Sequence, residues 1–139
     1  MKFINAPLEK HLGDEEYIER VLGSIDELEN KAKNHVKMMH FYESDSINVF
    51  SNCFLPRTHP DYEHPSSEIV SAVVDLIVSR GYTATDISRE LGVTTDRNRT
   101  LKYWCSPTSD RKIPYAAWVY LCAMAGLMLP TMLPIKTKN

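Results

Sequence analysis

Apolar residues along this chain recur mostly at helical spacing, and the breaks between runs fall on glycine and proline. Residues 1–13 contain Pro7 and Gly13 and no periodic run, so an irregular lead is expected. Asp14-Glu15-Glu16 then places acids where a helix N-terminus favours them, and Tyr17, Ile18, Val21 and Leu22 follow at helical spacing until Gly23. Ser24 and Glu27 have the form of a capping box opening a second helix. In it Ile25, Leu28, Ala32, Val36 and Met39 recur at steps of 3, 4, 4 and 3, one apolar stripe over roughly four turns. Asp26, Glu29, Lys33 and Lys37 lie toward the outside, with Glu29 and Lys33 at the favourable four-residue offset.

Residues 44–55 carry two patterns at once. Ile47, Val49, Ser51, Cys53 and Leu55 alternate as in a strand, while Ile47, Phe50 and Phe54 repeat as in a helix. Pro56, Pro60 and Pro65 then fall within ten residues, which predicts a connector over 56–65 and a domain boundary there. Beyond it, Ser66 or Ser67 caps a helix with Ile69, Val70, Val73, Ile77 and Val78 facing inward, ended by Gly81. Thr83 or Thr85 starts the next helix. A polar loop, 106–112, leads to Ile113 and to Pro114 as first residue of a helix from Tyr115 to Leu127. Tyr115, Trp118, Leu121, Cys122 and Ala125 cover one face of that helix.

The stretch from Asp86 to Trp104 organises the second half. It reads as a short helix (Asp86 to Leu91), a turn at Gly92-Val93 with Val93 as an apolar plug, and a second helix anchored by Leu101 and Trp104. Arg97, Asn98, Arg99 and Lys102 occupy the polar side, the residue types that meet phosphates and base edges when a helix enters the major groove. The expected fold is mainly α: an N-terminal helical region, 1–65, and a four-helix helix-turn-helix domain, 66–139.

Charge sharpens this division. Residues 1–65 carry 7 Lys and Arg against 12 Asp and Glu, a net of −5; residues 66–139 carry 9 against 6, a net of +3. Only the second half suits a polyanion. Cys53, Cys105 and Cys122 are odd in number and widely spaced, which fits free thiols in a reducing cytoplasm. No secretory h-region opens the chain. The 23 positions from Ile113 to Ile135 are uncharged and long enough for a bilayer, but Pro114, Gly126, Pro130 and Pro134 interrupt them, so no membrane partner is expected.

His11, His35, His40, His59 and His64 show no recognised zinc spacing, so neither metal nor cofactor is expected. Cys105 has no base near it in sequence and reads as an inert thiol; Asp14, Glu15 and Glu16 compensate a helix dipole. No glycine-rich phosphate loop occurs among 5 glycines, and no enzyme is expected.

The order helix, helix, turn, helix, loop, helix, with Ile113-Pro114-Tyr115-Ala116-Ala117-Trp118 after a Trp104-ended helix, resembles Cro/C1-type (XRE-like) helix-turn-helix regulators of bacteriophages and conjugative elements. The resemblance covers residues 66–127. It implies that the helix before Gly92 braces the DNA backbone and that the next enters the major groove of an operator, commonly as a homodimer. It further implies Thr85 near a phosphate and Arg97, Asn98, Arg99 and Lys102 on or beside the reading face. Thr95 of the same segment and Arg111 and Lys112 of the basic loop complete the DNA-binding set. Two positions depart from the pattern: Ser88 stands where alanine is usual, and Gly92 to Trp104 is about one turn longer. Either Asp96 caps a late helix, or the helix starts early at Thr94 or Thr95.

These observations point to a cytoplasmic, sequence-specific transcriptional regulator, an autorepressor of a mobile genetic element bound to double-stranded operator DNA. The alternative is an anti-CRISPR-type inhibitor that docks on a host CRISPR effector through the acidic half or the helix-turn-helix fold.

Overall fold

The computed structural model describes residues 14–39 and 47–128. The expectations for residues 1–13, for His40, and for the tail beyond Met128 lie outside them. So do the side chains of His35, Val36 and Met39. The chain divides into two compact units, Met1–Glu43 and Ser44–Asn139.

Among the described residues the first unit holds one helix, α1 (Asp14–Met39), where the sequence pattern predicts two. Gly23 is inside it, and Ser24 is not a cap: its Oγ donates to the Arg20 carbonyl one turn back, at 2.9 Å. A mid-helix glycine costs only about 1 kcal/mol, whereas a break would leave two further helix ends with unpaired backbone groups. Helix-forming sequence on both sides therefore carries the helix through. Lys33 pairs with Glu29 at 2.7 Å, as the offset predicts, and Lys31 with Glu27 at 3.2 Å.

The second unit comprises α2 (Ser67–Ser79), α3 (Ala84–Glu90), α4 (Arg99–Cys105) and α5 (Tyr115–Ala125), with 3-10 turns at Asn52–Phe54 and Asp96–Asn98. The fold is mainly α, as expected, with no strand among the described residues. The two-way pattern at 44–55 resolves, from Ile47 on, into turns and the 3-10 segment.

Helix α2 is the hub, packed against α3, α4 and α5. Ser66 caps it by accepting the Ile69 amide. Its inward stripe is Val70, Val73, Val74 and Ile77, while Val78, expected inside, is 42% exposed. The valine run 73–74 sits centrally on the buried face, which turns Val78 outward. At the far end the Arg80 guanidinium donates to the Ala125 carbonyl at 2.7 Å, tying α2 to the C-terminal end of α5.

Helix α5 buries Trp118, Leu121, Cys122 and Ala125 completely. Pro114 is its N-cap, one position before the first helical residue. The helix stops at Ala125 rather than Leu127 because Gly126 turns left-handed (φ 77°). The Gly126 and Leu127 amides then close on the Ala123 and Cys122 carbonyls, which satisfies the last turn. No helix among the described residues is long and apolar enough to cross a membrane.

The proline-rich stretch read as a connector packs on this unit. Cys53 is 3% exposed, and its carbonyl accepts the Trp118 indole N–H at 2.9 Å, across 65 residues of chain. The Phe54 ring lies 5.5 Å from that of Trp118, and Tyr62 meets Tyr115 edge-on at 5.6 Å. The Arg57 amide donates to the Tyr115 hydroxyl, and Pro65 is buried. Pro56 and Pro60 stay exposed, so the stretch is anchored through Tyr62, the Arg57 amide and the buried Pro65.

Candidate nucleic-acid interface

Helix α3 is set by its N-terminus. Thr83 and Asp86 form a reciprocal capping box: the Thr83 hydroxyl accepts the Asp86 amide, and the Asp86 carboxylate accepts the Thr83 amide at 2.8 Å. Those Thr83 donors, amide first and hydroxyl second, hold the Asp86 carboxyl below its ordinary value, with Arg89 adding to the effect. The helix thus begins at Ala84, two residues earlier than Asp86. It buries Ile87 and Ser88, so the serine is small enough for the alanine-preferring position, but its hydroxyl is buried without a hydrogen-bond partner. Gly92 follows with φ 68°, and Val93 is half-buried against the core, as a plug should be.

The lengthened segment follows the first of the two expected forms, a longer turn before a late helix, but Asn98 rather than Asp96 stands at the start of that helix. Asp96–Asn98 is a 3-10 turn, Arg97 (φ 52°) and Asn98 (φ 51°) are left-handed, and α4 starts only at Arg99. The extra residues are therefore taken up in the turn, and neither Thr94, Thr95 nor Asp96 opens α4. Left-handed geometry is costly for arginine and tolerable for asparagine, whose short side chain finds local partners. Asn98 has such a partner: its Nδ2 donates to the Thr85 hydroxyl of α3 at 3.2 Å. That bond pins the start of α4 to α3.

The expected site residues accordingly fall into two groups. Thr85 and Asn98 are half-buried and bonded to each other. Thr95, Arg97, Arg99, Lys102, Arg111 and Lys112 are all exposed. Arg99 pairs with Asp96 one turn back, an exposed contact that a phosphate can displace at little cost. Leu101 and Trp104 are buried at 2% and 7%, which fixes the rotation of α4 and leaves Arg99, Lys102 and Tyr103 on its outer side. The Arg111 guanidinium stacks over the Tyr103 ring, 4.7 Å from its centroid, so the loop after α4 adds its cation to the same surface.

Sequence reasoning singled out neither Tyr103, which shares the outer side of α4, nor Arg57, which packs on Tyr62 of the same unit. Tyr103 was available from its spacing, four residues after Arg99, but Trp104 beside it took the role of the aromatic. Arg57 had no local signal, because only the fold brings its segment to this unit. There the His64 imidazole is pushed below its ordinary value, first by burial and next by the charges of Lys112 and Arg57. The Arg57 guanidinium itself lies over the Tyr62 ring, 5.2 Å from its centroid. The thiols stand apart: burial drives Cys122 and Cys53 upward and puts Cys105 at about 11, so none is a poised nucleophile.

No protein-family model matches the chain, and no solved structure does. Two proteins of Escherichia coli, each named transcriptional repressor protein KorC, are similar to it. One is 34% identical over 86 residues, 62% of this chain and 93% of its own length. The other is 31% identical over 81 residues, 58% of this chain and 87% of its own. Both matches are longer than the stretch from Ser66 to the C-terminus, so they include part of what precedes it. With nearly the whole of each relative covered at this identity, the chain belongs to the KorC family of transcriptional repressors.

Proposed function

We propose that this protein represses transcription by binding operator DNA of a mobile genetic element as a homodimer, with α4 in the major groove. The second unit acts in this reading as a Cro/C1-type helix-turn-helix with a lengthened turn. One observation carries it: α4 is clamped by Leu101 and Trp104 while Arg99, Lys102 and the Tyr103–Arg111 stack face outward. Rigid placement of hydrogen-bonding cations on an exposed helix is what groove recognition requires. The repressor names of the relatives support the same function.

Roles divide by geometry. Arg99 and Lys102 reach base edges or flanking phosphates; Thr95, Arg97, Arg111 and Lys112 hold the backbone. Asn98 and Thr85 serve as a positioning pair through the bond from Asn98 Nδ2 to the Thr85 hydroxyl, while Asn98 Oδ1 is buried without a hydrogen-bond partner. Affinity comes mostly from phosphate contacts and falls steeply with salt. The competing reading, an inhibitor docked on a host CRISPR effector, has no observation in its favour.

Fluorescence anisotropy with DNA from upstream of the protein's own coding region, across a salt series, tests this. Lys102→Ala and Arg99→Ala weaken binding by at least about fivefold each, in line with about 1–3 kcal/mol for a base contact. Lys112→Ala lowers affinity on every sequence and flattens the salt dependence. Absence of binding at low salt refutes the proposal.

A further inference from the structure

Arg57 is an exposed cation on the proline-rich stretch, far in sequence from α4, and two contacts fix its place. Its backbone amide donates to the Tyr115 hydroxyl at 3.1 Å, and its guanidinium rests over the Tyr62 ring, 5.2 Å from the centroid. Tyr62 in turn meets Tyr115 edge-on. A guanidinium stacked on an aromatic face keeps its N–H groups available, so it is already ordered when a phosphate arrives. Among the described residues no carboxylate pairs with Arg57, Arg111 or Lys112.

The cations of α4 and its following loop lead to this residue. Arg111 stacks over Tyr103 on the outer side of α4, and Lys112 is next in the chain. Lys112 lies three residues before Tyr115, the first residue of α5, so the two backbones are within about 11 Å at full extension. Ile113 between them is 2% exposed, which anchors the end of the loop in the core. Tyr115 is the residue that holds Arg57. Lys102, Arg111, Lys112 and Arg57 therefore succeed one another from α4, along the loop, to the start of α5.

The acids of the proline-rich stretch sit on its other edge. Asp61 and Glu63 line a polar hollow with Asn52, Pro60 and Tyr62, and the Glu63 amide donates to the Asn52 carbonyl at 3.5 Å. The edge that carries Arg57 differs in sign. There the His64 imidazole is lowered first by burial and then by the charge of Lys112, with Arg57 adding to the effect, while the Ile113 backbone pulls the other way. Tyr62 stands between the two edges, lining the hollow and carrying Arg57 over its ring.

We infer that Arg57 is a further DNA-backbone ligand, binding a phosphate beyond those held by Arg111 and Lys112, with the proline-rich stretch as the strap that holds it in place. This rests on the proposed function and extends its phosphate-binding surface outside the helix-turn-helix.

The test is fluorescence anisotropy of the full chain with DNA from upstream of its own coding region and with an unrelated duplex, each across a salt series. Arg57→Ala is expected to weaken binding to both duplexes alike, by roughly three- to tenfold, and to reduce the slope of log K against log salt by about 0.9, the signature of one lost phosphate contact. Arg57→Lys recovers most of that slope, since a point charge serves a phosphate. The backbone bond to Tyr115 survives in both variants, so the melting temperature stays close to that of the parent. Parental affinity and slope in Arg57→Ala overturn the inference, and if Lys102→Ala still weakens binding the repressor reading stands. A lowered melting temperature with an unchanged slope marks a packing role on Tyr62 alone and also overturns it. So does a loss confined to the upstream DNA, which would make Arg57 a base reader. A parent chain that binds neither duplex at low salt overturns both the inference and the reading beneath it.

Discussion

Trp118→Phe tests whether the stretch from Ile47 to Pro65 belongs structurally to the DNA-binding unit. The indole is fully buried, and its N–H is the donor to the Cys53 carbonyl. Phenylalanine keeps an aromatic ring near Phe54 but removes the donor. The buried Cys53 carbonyl then lacks that bond, which costs about 1–3 kcal/mol. The missing second ring leaves a void worth about another 1–2 kcal/mol. The total, roughly 2–5 kcal/mol, is a large share of the ~5–15 kcal/mol that holds a typical domain together. For a domain of this size each kcal/mol moves the melting point by about 4–8 °C, so a fall of at least about 10 °C is expected in calorimetry of the full chain. Phe54→Ala in the same background shows coupling of about 0.5–1.5 kcal/mol in a double-mutant cycle, the worth of the aromatic pair. If Trp118→Phe melts within about 2 °C of the parent, the segment carrying Cys53 and Phe54 contributes nothing to this core. The boundary then belongs at Pro65.

Three further outcomes follow from local geometry. Arg97→Gly relieves a left-handed arginine, so it preserves or raises the melting temperature by the equivalent of up to ~1 kcal/mol while lowering operator affinity in anisotropy; loss of stability refutes the strain argument. Because Thr83 depresses the Asp86 carboxyl, the stability this capping box adds is fully present above the unfolded carboxylate value of about 3.9 and is lost as pH falls through the lower folded value; acid-melting curves of Asp86→Asn lack that component. Cys105, at about 11 and half-buried, reacts slowly with iodoacetamide at pH 8 in the native protein and quickly in denaturant, as mass spectrometry of the alkylated peptide shows; rapid native labelling refutes its assignment as inert.

Much of the second unit was legible because its signals are local and agree with one another. Ser66, Thr83 and Gly81 mark helix ends by side-chain and backbone chemistry that does not depend on the rest of the fold. Trp118, Leu121, Cys122 and Ala125 share a face at any helical phase. Gly23 and the prolines misled for one reason. Each raises the cost of regular structure, but neither decides whether continuity or burial outweighs that cost. The long helix on both sides outweighed it at Gly23, and the contacts of Arg57 and Tyr62 with Tyr115, more than 50 residues away, outweighed it at the prolines.

The turn between α3 and α4 was the least legible part of the site, and it is the part that sets recognition. Periodicity allows a late or an early start for α4, since the residue types at 94–98 suit either. The outcome depends on whether Asn98 can reach Thr85 across the turn, a contact 13 residues apart in sequence. Once that bond forms, Asn98 becomes left-handed, Arg97 is carried with it, and α4 is shortened to Arg99–Cys105. A helix of seven residues offers few positions to a groove, so the outward set narrows to Arg99, Lys102 and Tyr103. The extra turn length does not lengthen α4; it moves Arg97 off the helix, onto a left-handed corner. In the proposed function, base readout then rests on two or three side chains per copy, which is little for one chain acting alone and argues for the homodimer of that proposal.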